Sequence, residues 1–259
     1  MPRPRGIGSR LAHGTEDRVA RPKRHADPSL ANQAGPDRAG TGHLFGSPTG
    51  EFLSLTVFRN GSLARERIRD TFGLTWDAFS RILRETPAGN GGRVLLPWFE
   101  PEITPFAGTP GLRRYGLEER DAPGHVRGIV EAQMMAMALH SRWMQVNVER
   151  IHATGGAAAN REILQVMADV FGADVYQFET GNSAALGAAL RAFHADERAE
   201  GREIPWEDVV AGFADPIASS RVQPTPAAHA SYQELMKVYS ACEAHALGRG
   251  PAPMRIGST

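Results

Sequence analysis

An α/β layered domain is the fold class this sequence predicts, and three observations predict it. The stretch from Ile151 to Asp169 reads as strand, glycine turn and helix in succession. A second strand-patterned run, Asp174 to Phe178, follows at once and leads into another helix-length segment. Two long helical patterns, one from about Val126 to Val148 and one from Pro226 to Ala246, flank the set. Strands interleaved with helices argue for a sheet covered by helices.

The elements follow in order. Glu51 to Phe58 alternates as a strand through Phe52, Leu53, Leu55, Val57 and Phe58. Asn60-Gly61 predicts a turn, and Ser62 a cap on a helix running through Phe72. Thr75 opens another helix that ends near Glu85; Pro87 to Gly92 reads as a loop and Val94-Leu95-Leu96 as a strand. Pro97 to Gly124, rich in proline and glycine, predicts a long loop over the surface. The helical run after it carries Ile129, Val130, Met134, Met137, Ala138 and Leu139, with Met134, Met135 and Met137 read as core filler. Ser183 is expected to cap a helix to about Phe193. Its Ala184, Ala185, Gly187, Ala188 and Ala189 form a face of little bulk, suited to close packing in a core. A short helix over Trp206 to Phe213 completes the set.

Composition bounds the function. The chain has 259 residues, 41% of them apolar, which is enough to bury a real core. Its formal net charge is zero, so no whole-molecule field favours nucleic acid or an anionic membrane. One cysteine, Cys242, rules out an internal disulfide and fits a reducing, cytoplasmic compartment. The nine histidines are scattered without metal-site spacing, so no protein-built metal site is expected. Up to Arg24 there are seven basic residues against two acids, among prolines and glycines. A nucleic-acid arm or a transit peptide is one reading of that stretch. Glu16-Asp17 and the prolines argue against a transit helix, and residues 1–39 are expected to be a disordered tail. The compact domain is expected over 40–247, with a flexible tail over 248–259.

The chemistry is expected at Thr154-Gly155-Gly156-Ala157, where an apolar run with Val146, Val148 and Ile151 meets a helix bearing Ile163, Leu164, Val166, Met167 and Val170. Two glycines at a strand-to-helix crest let a ligand approach the backbone, and the helix start aims N–H groups and positive dipole at the same spot. Taken alone, a double glycine is also plain turn chemistry. Asn160, placed on the first helical turn, either caps the helix or reaches a ligand lying over the glycines. A dinucleotide-binding turn is disfavoured, because three alanines follow Gly156 where the Gly-x-Gly-x-x-Gly fingerprint needs glycine.

The segment GGAAANREILQVMADVFGADVYQFETGNSAALGAAL resembles the C-terminal signature of the FGGY carbohydrate kinases. Leu96-Pro97-Trp98-Phe99-Glu100-Pro101-Glu102-Ile103-Thr104-Pro105 is similar to that family's apolar-Gly-Glu-Arg-Thr-Pro block, with Pro101 in place of Gly and Ile103 in place of Arg. The resemblance covers roughly Gly40 to Leu247 and is closest in flavour to the xylulokinase-like branch. It implies a ribonuclease H-like domain of the actin and hexokinase type, the second half of a two-domain sugar kinase. It also implies ATP with Mg²⁺, the metal being held mainly by phosphates and the first domain.

By that resemblance Gly155, Gly156 and Ala157 lie beneath the adenosine and α-phosphate, and Asn160 hydrogen-bonds adenine or ribose. The sugar-binding residues, the general-base aspartate and the opening Gly-Thr-Ser hairpin have no counterpart read here. Gly40-Thr41-Gly42 is taken as a turn. No catalytic residue is therefore assigned. Glu102 and Glu179 are candidates for the cleft rim, with caps or salt bridges as the plainer expectation, and Glu100, Glu102 and Asp121 are the carboxylates able to stand in as base. Two functions stay open: half of a sugar kinase, or a non-catalytic nucleotide-binding or interaction module. Expected partners are ATP or ADP, a carbohydrate when a first kinase domain is present, and either a second copy or a separate N-terminal kinase domain. Neither nucleic acid nor membrane is expected.

Overall fold

The computed structural model describes residues 18–20, 42–47, 52–178, 183–213 and 215–253. Three small sheets and seven α-helices make up the described part. Strands β1 (Arg18–Ala20), β2 (Gly42–Gly46) and β3 (Phe52–Thr56) form an antiparallel sheet with β3 in the centre. Gly42 pairs with Thr56 and Gly46 with Phe52. The short ladder of β1 on β3 departs from the tail expected over 1–39: Val19 lies opposite Leu55. Gly42 opens β2 and is not a turn residue; Gly40 and Thr41 lie outside the described residues.

Helix α1 (Ser62–Thr71) starts one residue earlier than expected, with Gly61 as its cap and Ser62 already helical. Helix α2 (Trp76–Glu85) begins where its sequence signals put it. Thr75 accepts a hydrogen bond from the Ala78 N–H, Asp77 sits in the first turn and Arg84 in the last. The stretch expected to be a plain surface loop contains a strand. Residues Gly111–Tyr115 (β5) pair antiparallel with Val94–Trp98 (β4), placing Leu96 opposite Arg113 and Pro97 opposite Leu112. Arg113 and Arg114 hid β5 from an apolar count, because this edge strand is only half-buried.

Helix α3 (Ala122–His140) is the axis of the core. Asp121 caps it by accepting from the Gly124 N–H, and fourteen of its residues are buried. It stops at His140, short of the expected Val148, and a 3-10 turn over Arg142–Met144 carries the chain on. Around it pack Phe79 and Leu83 from α2, Leu95 and Leu96 from β4, and Tyr232, Leu235 and Tyr239 from α7 (Pro226–Ala246). Met134, Met135 and Met137 belong to this core.

The next unit is strand, helix, strand. β6 (Arg150–Ala153) and β7 (Asp174–Gln177) are parallel, with Ile151 opposite Val175, and α4 (Arg161–Phe171) crosses between them. Parallel neighbours require such a crossover. Val146 and Val148 fall outside β6, which is shorter than expected. Ile163 and Val166 of α4 face the main core, whereas Leu164 and Ala168 join Ile151, Ala153, Val175 and Val222 in a second cluster. Gly172 ends α4 at φ 61°, and a side chain there would strike the His229 ring. Helix α5 (Ser183–Ala199) runs past Phe193 but buries only Gly187, Leu190 and His194. Its small residues are thus not the expected core face: Ala185, Ala188 and Ala189 are exposed. α6 (Trp206–Val210) is shorter than read.

Candidate functional site

The crest between β6 and α4 lies at the carboxyl end of a parallel strand pair, where ligands of α/β sheets bind. Gly155 stands at φ 85°, ψ −177°, a region essentially confined to glycine. Gly156 to Ala159 then form one 3-10 turn, which lies between the strand and α4. Both glycines are exposed, and a Cβ built on either meets no atom within 4 Å. The bareness of Gly156 is therefore demanded neither by a left-handed backbone nor by packing inside the protein. Ala157 packs against the main core and Ala158 is buried in the second cluster, which anchors the far side of the turn.

Asn160 is the N-cap residue of α4, one step before the first turn in which it was expected. Of the two roles open to it, the structure shows the cap: Oδ1 accepts from the N–H groups of Glu162 (3.0 Å) and Ile163 (3.3 Å). Its Nδ2 donates to Ser80 Oγ at 2.7 Å. The first N–H groups of the 3-10 turn have no partner within the turn and point out of its amino end. From the other side Gln177, the last residue of β7, donates through Nε2 to the Ala158 carbonyl, and the Phe178 N–H donates to the Ala153 carbonyl. Sequence reading missed Ser80 and Gln177. Neither stands in a motif, and the Ser80 contact spans eighty residues.

The candidate carboxylates are engaged in structure. Glu102 is buried, and its oxygens accept from the N–H groups of Arg59 (2.6 Å), Asn60 (3.1 Å) and Ile103 (2.8 Å) and from Asn60 Nδ2 (2.8 Å). Asp121 caps α3 and pairs with Arg93. Glu100 is exposed, 3.9 Å from Arg67. Glu179 lies outside the described residues, as do Thr180 to Asn182. Gln133 of α3 locks the same corner as Glu102, donating to the carbonyls of Asn60 (2.7 Å) and Gly61 (2.8 Å) while accepting from Arg65. Beside it lies a cavity of about 20 Å³, room for one water, lined by Asn60, Trp98, Glu102, Thr104, Gln133 and Tyr239. Among the described residues no group of three or more His, Cys, Asp or Glu is arranged to hold a metal ion, and no helix is long and apolar enough to cross a membrane.

Comparison with known proteins decides the family. Residues 42–195, more than half of the chain, match the C-terminal domain of the FGGY family of carbohydrate kinases. The chain belongs to this family. Xylulose kinase of Mus musculus is 38% identical over 222 residues, covering 82% of this chain and 40% of that protein. Xylulose kinase 2 of Arabidopsis thaliana is 34% identical, covering 71% and 35%. This FGGY chain therefore spans about two fifths of the length of the curated relatives it matches. Among solved structures, a ligand-bound xylulose kinase from Lactobacillus acidophilus superposes with a TM-score of 0.69 at 21% identity, over 82% of this chain and 43% of that one. Plasmodium falciparum glycerol kinase with ADP gives 0.55 at 13% identity, over 74% and 38%. The fold is that of the FGGY sugar kinases, the actin and hexokinase type of ATPase domain.

Proposed function

We propose that this chain, over residues 40–247, supplies the adenosine-binding half of an ATP-dependent carbohydrate kinase acting on a pentulose or related polyol. The observation that carries the proposal is the open face of Gly155 and Gly156, where nothing in the protein requires the missing side chains at Gly156. Gly155, Gly156 and Ala157 form the floor of the nucleotide site. Asn160 serves it indirectly: its carboxamide is occupied by the α4 cap and by Ser80, so it sets the height and tilt of the crest. The amino end of α4 and the free N–H groups of the turn favour a polyanion above them. ATP would arrive with Mg²⁺ held by its phosphates. Phosphoryl transfer is largely positioning and charge stabilisation, and this part of the molecule contributes positioning. The xylulose kinases among the relatives support a pentulose as acceptor.

The general base and the sugar contacts belong, on this reading, to a second kinase domain. Glu102 is taken up by four structural hydrogen bonds and Asp121 by the α3 cap and Arg93, which leaves exposed Glu100 as the least engaged of those three. A coupled assay of xylulose-dependent ADP release tests this. The chain by itself is expected at background, since losing a general base alone removes a factor of about 10²–10⁴. Adding the N-terminal part of a xylulose kinase in trans is expected to raise the rate. Robust sugar-dependent release from this chain alone would contradict the division of labour.

A further inference from the structure

Helix α2 touches the crest through two residues one turn apart. Ser80 Oγ donates to the Trp76 carbonyl of its own helix (2.8 Å), which leaves a lone pair to accept Asn160 Nδ2 at 2.7 Å. Arg84 Nε meets Glu162 Oε1 at 2.7 Å, in the first turn of α4. The Ser80 contact reinforces the facing of the Asn160 amide, because its hydroxyl, already donating to Trp76, offers Nδ2 an acceptor. With Nδ2 on the serine, Oδ1 is presented to the Glu162 and Ile163 N–H groups; turned over, the amide would aim donors at donors and the cap would fail. A main-chain step at Asn160 joins the 3-10 turn to α4, so the cap also fixes the turn that carries Gly156.

We infer that Ser80 is a positioning residue of the nucleotide site. It acts through Asn160 and never touches the ligand, and α2 thereby sets the geometry of a platform built on another part of the chain. Phe79 and Leu83 root α2 in the main core, fully buried, so the serine is offered from a rigid support. The inference rests on the nucleotide reading above.

Calorimetry with ADP on the full chain tests it with three proteins: wild type, Ser80→Ala and Ser80→Thr. The alanine variant is expected to bind about 3–10-fold more weakly, the size of one hydrogen bond, with its thermal midpoint close to wild type. The threonine variant keeps the hydroxyl and is expected to bind within about twofold of wild type. A double-mutant cycle with Asn160→Ala should show coupling, the asparagine costing less once Ser80 is gone. Wild-type binding with an unchanged Ser80→Ala affinity overturns the role of Ser80 alone. Equal weakening in alanine and threonine variants overturns it too, because the hydroxyl would not be what matters. A wild type that binds no adenine nucleotide overturns the platform reading and this inference with it.

Discussion

Glu102 Oε2 accepts both the backbone N–H and the side-chain amide of Asn60, at 3.1 and 2.8 Å. Asn60 in turn accepts the Glu100 N–H and donates to the Glu100 carbonyl, so the two loops are stitched side chain to backbone in both directions. The carboxylate that stands out in the sequence block around Thr104-Pro105 is therefore a brace for the entry to α1. Glu102→Ala is expected to lower stability by about 2–4 kcal/mol, because several buried donors lose their acceptor together. Urea unfolding of the variant checks this. A loss below about 0.5 kcal/mol would show that the brace is dispensable.

The main core contains a charged knot. Glu131 Oε1 accepts from Arg127 Nε (2.7 Å), Tyr232 Oη (2.8 Å) and the Gly89 N–H (2.8 Å), and Arg127 also donates to the Leu83 carbonyl. Burial pushes the Tyr232 phenol well above its usual range, with the Glu131 charge adding to it. Glu131→Leu leaves Arg127 as an uncompensated buried charge and is expected to cost about 3–5 kcal/mol. The paired change Arg127→Met with Glu131→Leu is expected to recover much of that loss. If single and paired variants unfold at the same urea concentration, the knot is not an ion pair in energetic terms.

His125 gives a pH signature. It is 1% exposed, Arg114 Nε donates to its Nε2 at 2.9 Å, and its Nδ1 lies 2.7 Å from the Asp121 carbonyl. The proton of the neutral ring therefore sits on Nδ1. Burial lowers its pKa; the bond to Asp121 opposes this and the Arg114 charge assists it. The unfolded chain titrates this group near 6.5, so the unfolded state takes up the proton first. Its contribution is complete above about pH 6.5 and is lost as pH falls through the lower folded value. The stability difference between wild type and His125→Gln should accordingly shrink between pH 7.5 and pH 5. Parallel stability profiles would refute the assignment.

Cys242 is fully buried in the main core, and burial pushes its thiol up to about 12. The thiolate is the reactive form. Iodoacetamide at pH 8 is expected to leave the native chain unlabelled and to label it within minutes in concentrated urea, as mass spectrometry would read. Rapid stoichiometric labelling of the native chain would mean that α7 opens readily.

Much of this was legible in the residues, and what was not has physical reasons. Thr75 marks a helix start through local chemistry, since a cap needs only neighbours within a few residues, whereas the Asp121 cap and the Gly172 stop went unread. The crest at Gly155-Gly156 was legible for the same reason. Strand β5 was not, because a half-buried edge tolerates Arg113 and Arg114 and so loses its apolar alternation. The small residues of α5 misled, as alanine permits close packing without requiring it. The double role of the Asn160 amide was hidden as well, because Ser80 lies eighty residues away and only the fold brings it near.

Gly156 offers the most direct test. A Cβ there meets no protein atom within 4 Å and the backbone is not left-handed, so Gly156→Val is expected to fold like wild type while filling the space over the crest. Titration calorimetry of ATP or ADP into both proteins, with circular dichroism to confirm the fold, makes the comparison. Measurable binding by wild type and none by a folded Gly156→Val is the predicted result. Equal nucleotide binding by both proteins would place the adenosine somewhere other than on Gly155 and Gly156.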